Sequence, residues 1–354
     1  MKRDGNFSRR TRVGPNIPIP KGKCWQNFLK VTENKKQLFE FLSEELCAVS
    51  KDDDYLLFST KGDYVLSNRE YDLSTLSPCT QEEADTRIIK HFHHAAEEGH
   101  RIGYGRTVDT DVVVNAVNMF SKTQLDELWI GYGTGNNYRD IPIHNICHAL
   151  GPQVCNAILL FHTFTGCDQT SAFKSIGKKK VWNAWEQLGD PLTETFIDLT
   201  NDPIGLDIDS PQMDIIQKFT VLMYDTKCDS EKVNDARRYL FTNKLKPLES
   251  IPPTLHSLYQ HTKRSINAAN YCSQALLNKP VMLLYSDFGY VWNERLNCWV
   301  PHWSDLPDVS KCVLLRSCGC KVACKGNCSC ARKPMKCTSL CACQGMCINN
   351  EKFD

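Results

Sequence analysis

The sequence lacks the apolar stretches that mark membrane and secreted proteins. Its longest apolar runs, such as residues 157–161 and 281–285, have five residues, whereas a membrane-spanning helix needs about 20. The opening, Met-Lys-Arg-Asp-Gly-Asn, has no apolar segment of the kind found in a secretory signal. We therefore expect an intracellular chain in a reducing compartment, with no membrane partner.

Acidic residues are scarce at both ends of the chain. Residues 1–36 carry ten Lys and Arg against two acids, a net +8, and residues 316–350 carry six Lys and Arg and no acid, a net +6. Because the whole chain is only +1, the remainder carries −13. Basic ends on an acidic middle predict an anionic partner such as DNA, held at the ends. A solubilising tail is the alternative for residues 1–12.

The order of predicted elements indicates an α/β fold. Strands are predicted at 101–108 and 128–132, with helices from Thr80 and at 112–120. Thr80 and Glu83 have the spacing of a capping box, which predicts that this helix begins at Thr80. The alternation favours a parallel sheet flanked by helices. A length of 354 residues allows two or three domains.

Nine of the 19 cysteines are concentrated in one short segment. An odd cluster in a chain without a visible signal peptide indicates metal binding and not a disulfide framework. Zinc takes four thiolates, so nine thiolates satisfy about three zinc ions if three of them bridge. With six Lys and Arg nearby, such a module would be net basic and suited to phosphates. The predicted zinc ligands are Cys318, Cys320, Cys324, Cys328, Cys330, Cys337, Cys341, Cys343 and Cys347.

The spacing of these cysteines resembles the CXC domain of tesmin-type proteins over residues 316–349. The ending Cys347-Ile348-Asn349 is similar to the close of that family's motif. The nine-cysteine count is equally similar to the three-zinc clusters beside some methyltransferase domains. The CXC resemblance implies DNA binding in the nucleus, here by Lys325, Arg332 and Lys333. Two departures stand against it: only six residues separate Cys330 from Cys337, and Asn327 and Leu340 stand before Cys328 and Cys341 where that family has a tyrosine.

Five carboxylates lie where a parallel sheet would gather them. Asp109 and Asp111 follow a predicted strand, Glu83 and Asp85 open a predicted helix, and Asp168 lies in a turn. Loops at the carboxyl ends of strands build the sites of α/β proteins. Converging carboxylates favour Mg²⁺ or Mn²⁺, and a two-metal site can cleave phosphodiesters. The alternative is that Asp109 only caps its helix and Glu83 only completes the capping box.

The same acids occur in motifs that resemble the flap-endonuclease branch of the PIN-like nucleases. The matching stretches are 83–85 (Glu-Ala-Asp), 108–111 (Val-Asp-Thr-Asp), 166–168 (Gly-Cys-Asp) and 175–179 (Ser-Ile-Gly-Lys-Lys). The resemblance implies a PIN-like core in which the five acids hold the catalytic metals. It also implies a helix-hairpin-helix that contacts a nucleic-acid backbone through Gly177, Lys178, Lys179 and Lys180. Two departures are a serine, Ser175, in place of a glycine and the lack of an evident acid before Glu83.

Together these features predict four segments and one function. The segments are a basic arm (1–24), a PIN-like nuclease-type domain (25–190), a helical and irregular extension (191–311) and a zinc module (312–350). The layout is also similar to a group of uncharacterised transposon-associated animal proteins. We expect a nuclear protein that binds branched or single-stranded DNA and, if active, cleaves it with Mg²⁺ or Mn²⁺ at an incomplete site. The alternative is a non-catalytic, zinc-dependent DNA-binding or scaffold protein with a relic nuclease fold.

Overall fold

The computed structural model describes residues 11–304 and parts of the cysteine-rich segment, namely 317–321, 328, 330–332, 336–338, 340–344 and 346. The chain forms two compact units, Met1–Leu159 with Ala269–Met282 and Leu160–Ala268 with Leu283–Asp354. Among the residues described, no helix has the length and apolar character needed to cross a membrane.

The first unit begins with two helices and a hairpin. The helices are α1 (Lys23–Leu29) and α2 (Thr32–Val49), and the antiparallel strands are β1 (Phe58–Lys61) and β2 (Tyr64–Ser67). The side chain of Asn34 donates to the Phe28 carbonyl at 3.2 Å, which holds the two helices at their junction. The Ser43 hydroxyl donates to the Thr60 carbonyl at 2.9 Å and fastens α2 to the hairpin.

A three-stranded sheet with two helices forms the core of the first unit. Its elements are α3 (Ala84–Glu97), β3 (Ile102–Thr107), α4 (Thr110–Thr123), β4 (Glu127–Tyr132) and β5 (Arg139–Pro142). The strand order is β3-β4-β5, with β3 parallel to β4 and β5 antiparallel to β4. The expectation of a mixed α/β fold is confirmed, but the described sheets are small and this one is only partly parallel.

Helix α3 begins four residues later than the capping box predicts. The residue before its first turn is Glu83, whose side chain makes no capping hydrogen bond. The Thr80 backbone N–H instead donates to the Asn278 carbonyl at 2.8 Å. The Gln81 side-chain amide donates to the carbonyls of Gln274 and Leu277 at 2.8 and 3.0 Å. Residues 80–82 therefore lie outside the helix, because they form hydrogen bonds with a distant segment of the same unit.

The next helix of the chain is long and kinked. Helix α5 (Ile143–Thr165) is interrupted at Gly151, which has φ 77° and is followed by Pro152. Proline removes a helical hydrogen-bond donor, and glycine tolerates the left-handed conformation that re-aims the chain. The border between the two units falls within this helix, after Leu159.

The second unit is mainly helical and has an aromatic core. Its helices are α6 (Lys178–Leu188), α7 (Asp190–Asn201), α8 (Pro211–Tyr224) and α9 (Val233–Thr242), and α10 (Leu255–Ser273) begins in it. Fully buried Phe164 lies 5.2, 6.2 and 5.7 Å, between ring centroids, from Phe173, Phe196 and Phe219. The Thr163 hydroxyl donates to the Ser265 carbonyl at 2.9 Å and ties α5 to α10.

A tryptophan hairpin lies where an irregular connector was expected. Strands β6 (Tyr290–Asn293) and β7 (Cys298–Pro301) pair antiparallel. Trp292 is directly opposite Trp299, with ring centroids 5.6 Å apart in an edge-to-face arrangement. Such cross-strand aromatic pairs stabilise short hairpins.

Candidate metal centre and carboxylate cluster

Four cysteines from both arms of the cysteine-rich segment converge on one point. The Sγ atoms of Cys318, Cys330, Cys337 and Cys341 all lie within 4.8 Å of one another, and all four residues are buried. The Cys318 and Cys337 sulfurs are 4.0 Å apart, and those of Cys330 and Cys341 are 3.6 Å apart. A disulfide would need about 2.05 Å. A tetrahedral zinc with bonds of about 2.3 Å needs sulfurs about 3.8 Å apart, which these separations bracket.

A second group shares one ligand with the first. The sulfurs of Cys318, Cys320 and Cys328 also lie within 4.8 Å of one another. Cys318 therefore lies where a thiolate bridging two metal ions would stand. Cys343 is buried beside them. The remaining predicted ligands, Cys324 and Cys347, and the predicted phosphate ligands Lys325 and Lys333 lie outside the described residues.

The electrostatics of the first group suit a cation. Burial, with hydrogen bonds to Cys341 and Cys318, raises the pKa of the Cys330 thiol to about 12. Burial also opposes ionisation of Cys341, but the N–H groups of Thr338 and Cys318 donate to its sulfur and lower its pKa to about 7. Thiolates this close repel one another, so a soft divalent cation at their centre is what allows all four to ionise. The donor set therefore fits zinc.

Four of the five predicted carboxylates lie at the neighbouring amino-terminal ends of two helices. Glu83 and Asp85 open α3, and Asp109 and Asp111 open α4. The Asp109 side chain accepts the Asp111 N–H at 2.9 Å, as a capping residue does. The position of Asp109 after β3 agrees with the sequence-based expectation.

Asp85 is the half-buried member of this carboxylate cluster. Burial raises its pKa, and the charges of Asp109, Asp111 and Glu83 raise it further. Glu83 and Asp109 are exposed. Among the residues the structure describes, the groups of three or more metal-ligand atoms within 4.8 Å are the two cysteine groups. The carboxylates are thus close enough to affect one another's charge, and their role as metal ligands stays a prediction.

Asp168 belongs to the second unit, in a turn that follows α5. It is exposed. Gly166, with φ 107°, opens this turn, and a Cβ there would lie 2.7 Å from the Cα of Ala172. The Cys167 N–H donates to the Thr170 hydroxyl at 3.3 Å. The Gly-Cys-Asp stretch is therefore a tight turn in which only glycine fits the first position.

Two of the three lysines of the predicted helix-hairpin-helix, Lys178 and Lys180, bind backbone carbonyls. Lys178 Nζ donates to the Gly166 carbonyl at 2.9 Å and to the Thr165 hydroxyl at 2.8 Å, at the carboxyl-terminal end of α5. Lys180 Nζ donates to the Tyr224 carbonyl at 3.3 Å, and burial lowers its pKa. Lys179 is exposed, as is Gly177, the residue before α6. A cation at a helix carboxyl terminus is favourable, which explains the position of Lys178.

Comparisons with protein-family models, with curated proteins and with solved structures found no match for this chain.

Sequence reasoning missed the residues that position the carboxylate cluster. Besides Gln81, Lys90 reaches the distant segment and donates to the Leu276 carbonyl at 2.6 Å. The Glu82 N–H donates to the hydroxyl of Tyr271 at 3.3 Å. These contacts join residues that are 186 to 193 positions apart in the sequence. No local pattern around Gln81 signals such a partner.

We expect Cys330→Ser to remove at least one zinc ion from each chain, because a hydroxyl is a poor ligand for a soft site. Metal analysis by mass spectrometry of protein purified without added zinc measures this. Cys24→Ser, at an exposed cysteine outside the segment, is the matched control and should keep its full zinc content. Equal zinc in the two variants would contradict the assignment.

We expect Ser175→Gly to stabilise the fold by about 1 kcal/mol, because Ser175 has φ 63° and left-handed backbone is unfavourable for residues with a Cβ. Urea unfolding of the purified protein measures the change. Ser171→Gly, at an exposed serine nearby that lacks a positive φ, is the control and should not stabilise. A loss of stability in Ser175→Gly would show that the serine side chain contributes more than the backbone strain costs.

Proposed function

We propose that this protein binds nucleic acid through a zinc module and carries a divalent-cation site of nuclease type. The observation that supports this most is the convergence of four buried thiol groups within a segment that has six basic residues and no acid. A zinc-organised fold holds such a segment rigid, and its positive charge then meets phosphates at fixed spacing.

Three zinc ions fit the pattern best. The two groups of cysteines both contain Cys318, and we assign one zinc ion to each group. Buried Cys343, with Cys324 and Cys347 from the rest of the segment, supplies the ligands for a third. Nine thiolates with three bridges then satisfy twelve coordination places. Nine thiolates with three zinc ions carry a net charge of −3. The six Lys and Arg side chains of the segment outweigh this charge and make the module net positive.

The carboxylate cluster supports a site for Mg²⁺ or Mn²⁺ in a PIN-like core. Asp109 and Asp111 follow a strand that is parallel to its neighbour, and their charges act on Asp85. Hard oxygen ligands that repel one another favour a hard divalent cation. Two such ions, when bound, activate water and stabilise the leaving oxygen of a phosphodiester.

A non-catalytic relic of this core is the second candidate. The ammonium groups of Lys178 and Lys180 bind backbone carbonyls of the same unit. Fewer positive charges are therefore available at this turn to bind the phosphates of a DNA duplex. The sequence also has no evident acid before Glu83 to complete the site. In this candidate the zinc module alone binds DNA, and the core is a scaffold. In either candidate we place the protein in the nucleus, where its proposed partner is.

Binding to oligonucleotide DNA should weaken steeply as salt rises, because each phosphate contact releases counterions. Replacing exposed Lys321 and Arg332 together by alanine should reduce the slope of log affinity against log salt by about 2. Fluorescence anisotropy with single-stranded, forked and duplex probes measures it. The double variant Lys122→Ala and Lys227→Ala, also at exposed positions, is the control. Binding that does not respond to salt would refute the electrostatic contact.

Cation binding should be measurable without cleavage. Since the pKa of Asp85 is raised in the fold, its ionised form destabilises the protein as pH rises through that pKa. Asp85→Asn should therefore raise the melting temperature at pH 7 without divalent cations. Mn²⁺ should stabilise the wild type more than this variant, because a ligand of the folded state shifts unfolding.

Cleavage of flap or forked DNA, if the core is active, should require Mg²⁺ or Mn²⁺. Asp111→Asn and Asp168→Asn should abolish it while zinc content and DNA binding persist, and Asp126→Asn, at an exposed acid outside the cluster, should retain it. Cleavage that survives in chelator would assign the activity to a different site. Cation stabilisation without cleavage of any probe would favour the relic.

A further inference from the structure

Helix α2 exposes a stripe of large apolar side chains. Phe39, Leu42, Leu46 and Val49 are 63%, 47%, 46% and 73% exposed. At 100° per residue they fall within one narrow face of the helix. A continuous apolar patch of this kind on a soluble protein usually marks an interaction surface. We call these four residues the α2 stripe.

The rest of the helix is firmly packed, so the stripe does not result from a loosely docked helix. Leu38 and Cys47 are buried. Ser43 is buried as well and donates to the Thr60 carbonyl in β1. The stripe lies between these buried positions around the helix and faces outwards.

The spacing of the stripe is that of two helices packed side by side. Its residues follow one another at intervals of three, four and three, which is the apolar repeat of paired helices. A partner that binds as an extended peptide or as a flat sheet would not require apolar residues at intervals of three and four. The stripe extends over about 15 Å of the helix axis, the length of a short helix–helix contact.

The charges at the two ends of α2 identify the partner. In its amino-terminal part exposed Lys35 and Lys36 outnumber Glu33, and after its carboxyl-terminal end the three acids 52–54 outnumber Lys51. A second copy of α2 running antiparallel places bases opposite acids at both ends. A parallel copy would place like charges together. We propose that α2 pairs antiparallel with α2 of a second copy of this chain, in a two-fold symmetric dimer.

The register of the two helices follows if the two-fold axis passes midway between Leu42 and Leu46. Phe39 of each copy then faces Val49 of the other, and Leu42 faces Leu46. Lys36 lies opposite Asp52 of the second copy. The apolar side chains and the end charges are matched by one alignment, which supports a specific dimer.

The experiment is light scattering after size exclusion, with the full chain in zinc and reductant. The interface is small, so dimers should form at roughly 10 µM and above. The mass should rise from 40.3 kDa towards twice that value. Leu42→Lys with Leu46→Lys should stay monomeric over the same range. Circular dichroism and zinc content check that this double variant is folded.

Matched controls test both the surface and the direction of pairing. Ile204→Lys changes another exposed aliphatic residue, 77% exposed in the second unit, and should leave the dimer intact. Lys36→Glu and Asp52→Lys should each weaken dimerisation about tenfold, and the two together should restore it. These positions are 16 residues apart in one helix and its end, so they cannot compensate within one chain.

Two results would overturn the proposal. A wild type that is monomeric at about 100 µM would show that the stripe has another partner or none. A dimer that resists the double lysine variant, or one that the charge exchange does not restore, would exclude antiparallel pairing of α2.

Discussion

The close approach of α3 to the sheet determines the geometry of the first unit. Gly105 of β3 has no side chain, and a Cβ there would lie 2.7 Å from the Phe92 ring of α3. A Cβ on Gly103 would lie 3.4 Å from the same ring, and 2.9 and 3.0 Å from Leu125 and Leu128. Because the helix lies directly on the strand, its amino terminus and the strand's carboxyl end meet. The acids of α3 and α4 become neighbours as a consequence.

Crowded acids have an energetic cost that the fold offsets with backbone contacts. The burial of Asp85 beside three other carboxylates opposes its ionisation, and the Asp109 side chain is held by the Asp111 N–H. The segment leading to α3 is anchored by the hydrogen bonds of Gln81. Structure that keeps like charges together is common where a cation is bound. The crowding of these acids therefore supports the proposed cation site, whether or not the core cleaves DNA.

The two proposed metal sites use opposite chemistry in separate parts of the chain. Buried thiols in the cysteine-rich segment suit a soft ion that organises the fold, whereas partly exposed carboxylates suit a hard ion that exchanges with solvent. A dimer through α2 would bring two zinc modules into one particle. Two linked binding modules gain affinity from effective concentration whenever both can reach the same nucleic acid.

Local patterns determined much of this protein. The cysteine spacing alone predicted a metal cluster, and the structure brings four of these cysteines within 4.8 Å of one another. Asp109 and Asp111 were predicted at a strand's end from the alternation of predicted strands and helices. The start of α3 was wrong by four residues, since Gln81 binds a segment 193 residues away and local propensity does not register such a contact.

Other features depended on tertiary packing. Leu38, Phe39 and Leu42 are all large apolar residues of one helix, but only the packed structure distinguishes buried Leu38 from the exposed stripe. The sequence predicts that Lys178 binds phosphate. In the structure its ammonium group donates to the Gly166 carbonyl at the end of α5. The sequence by itself determined which residue types lie near one another along the chain and therefore where the cysteine cluster lies. Tertiary structure decided which side chains face solvent and which charges meet, because burial and Coulomb energy depend on distances in space.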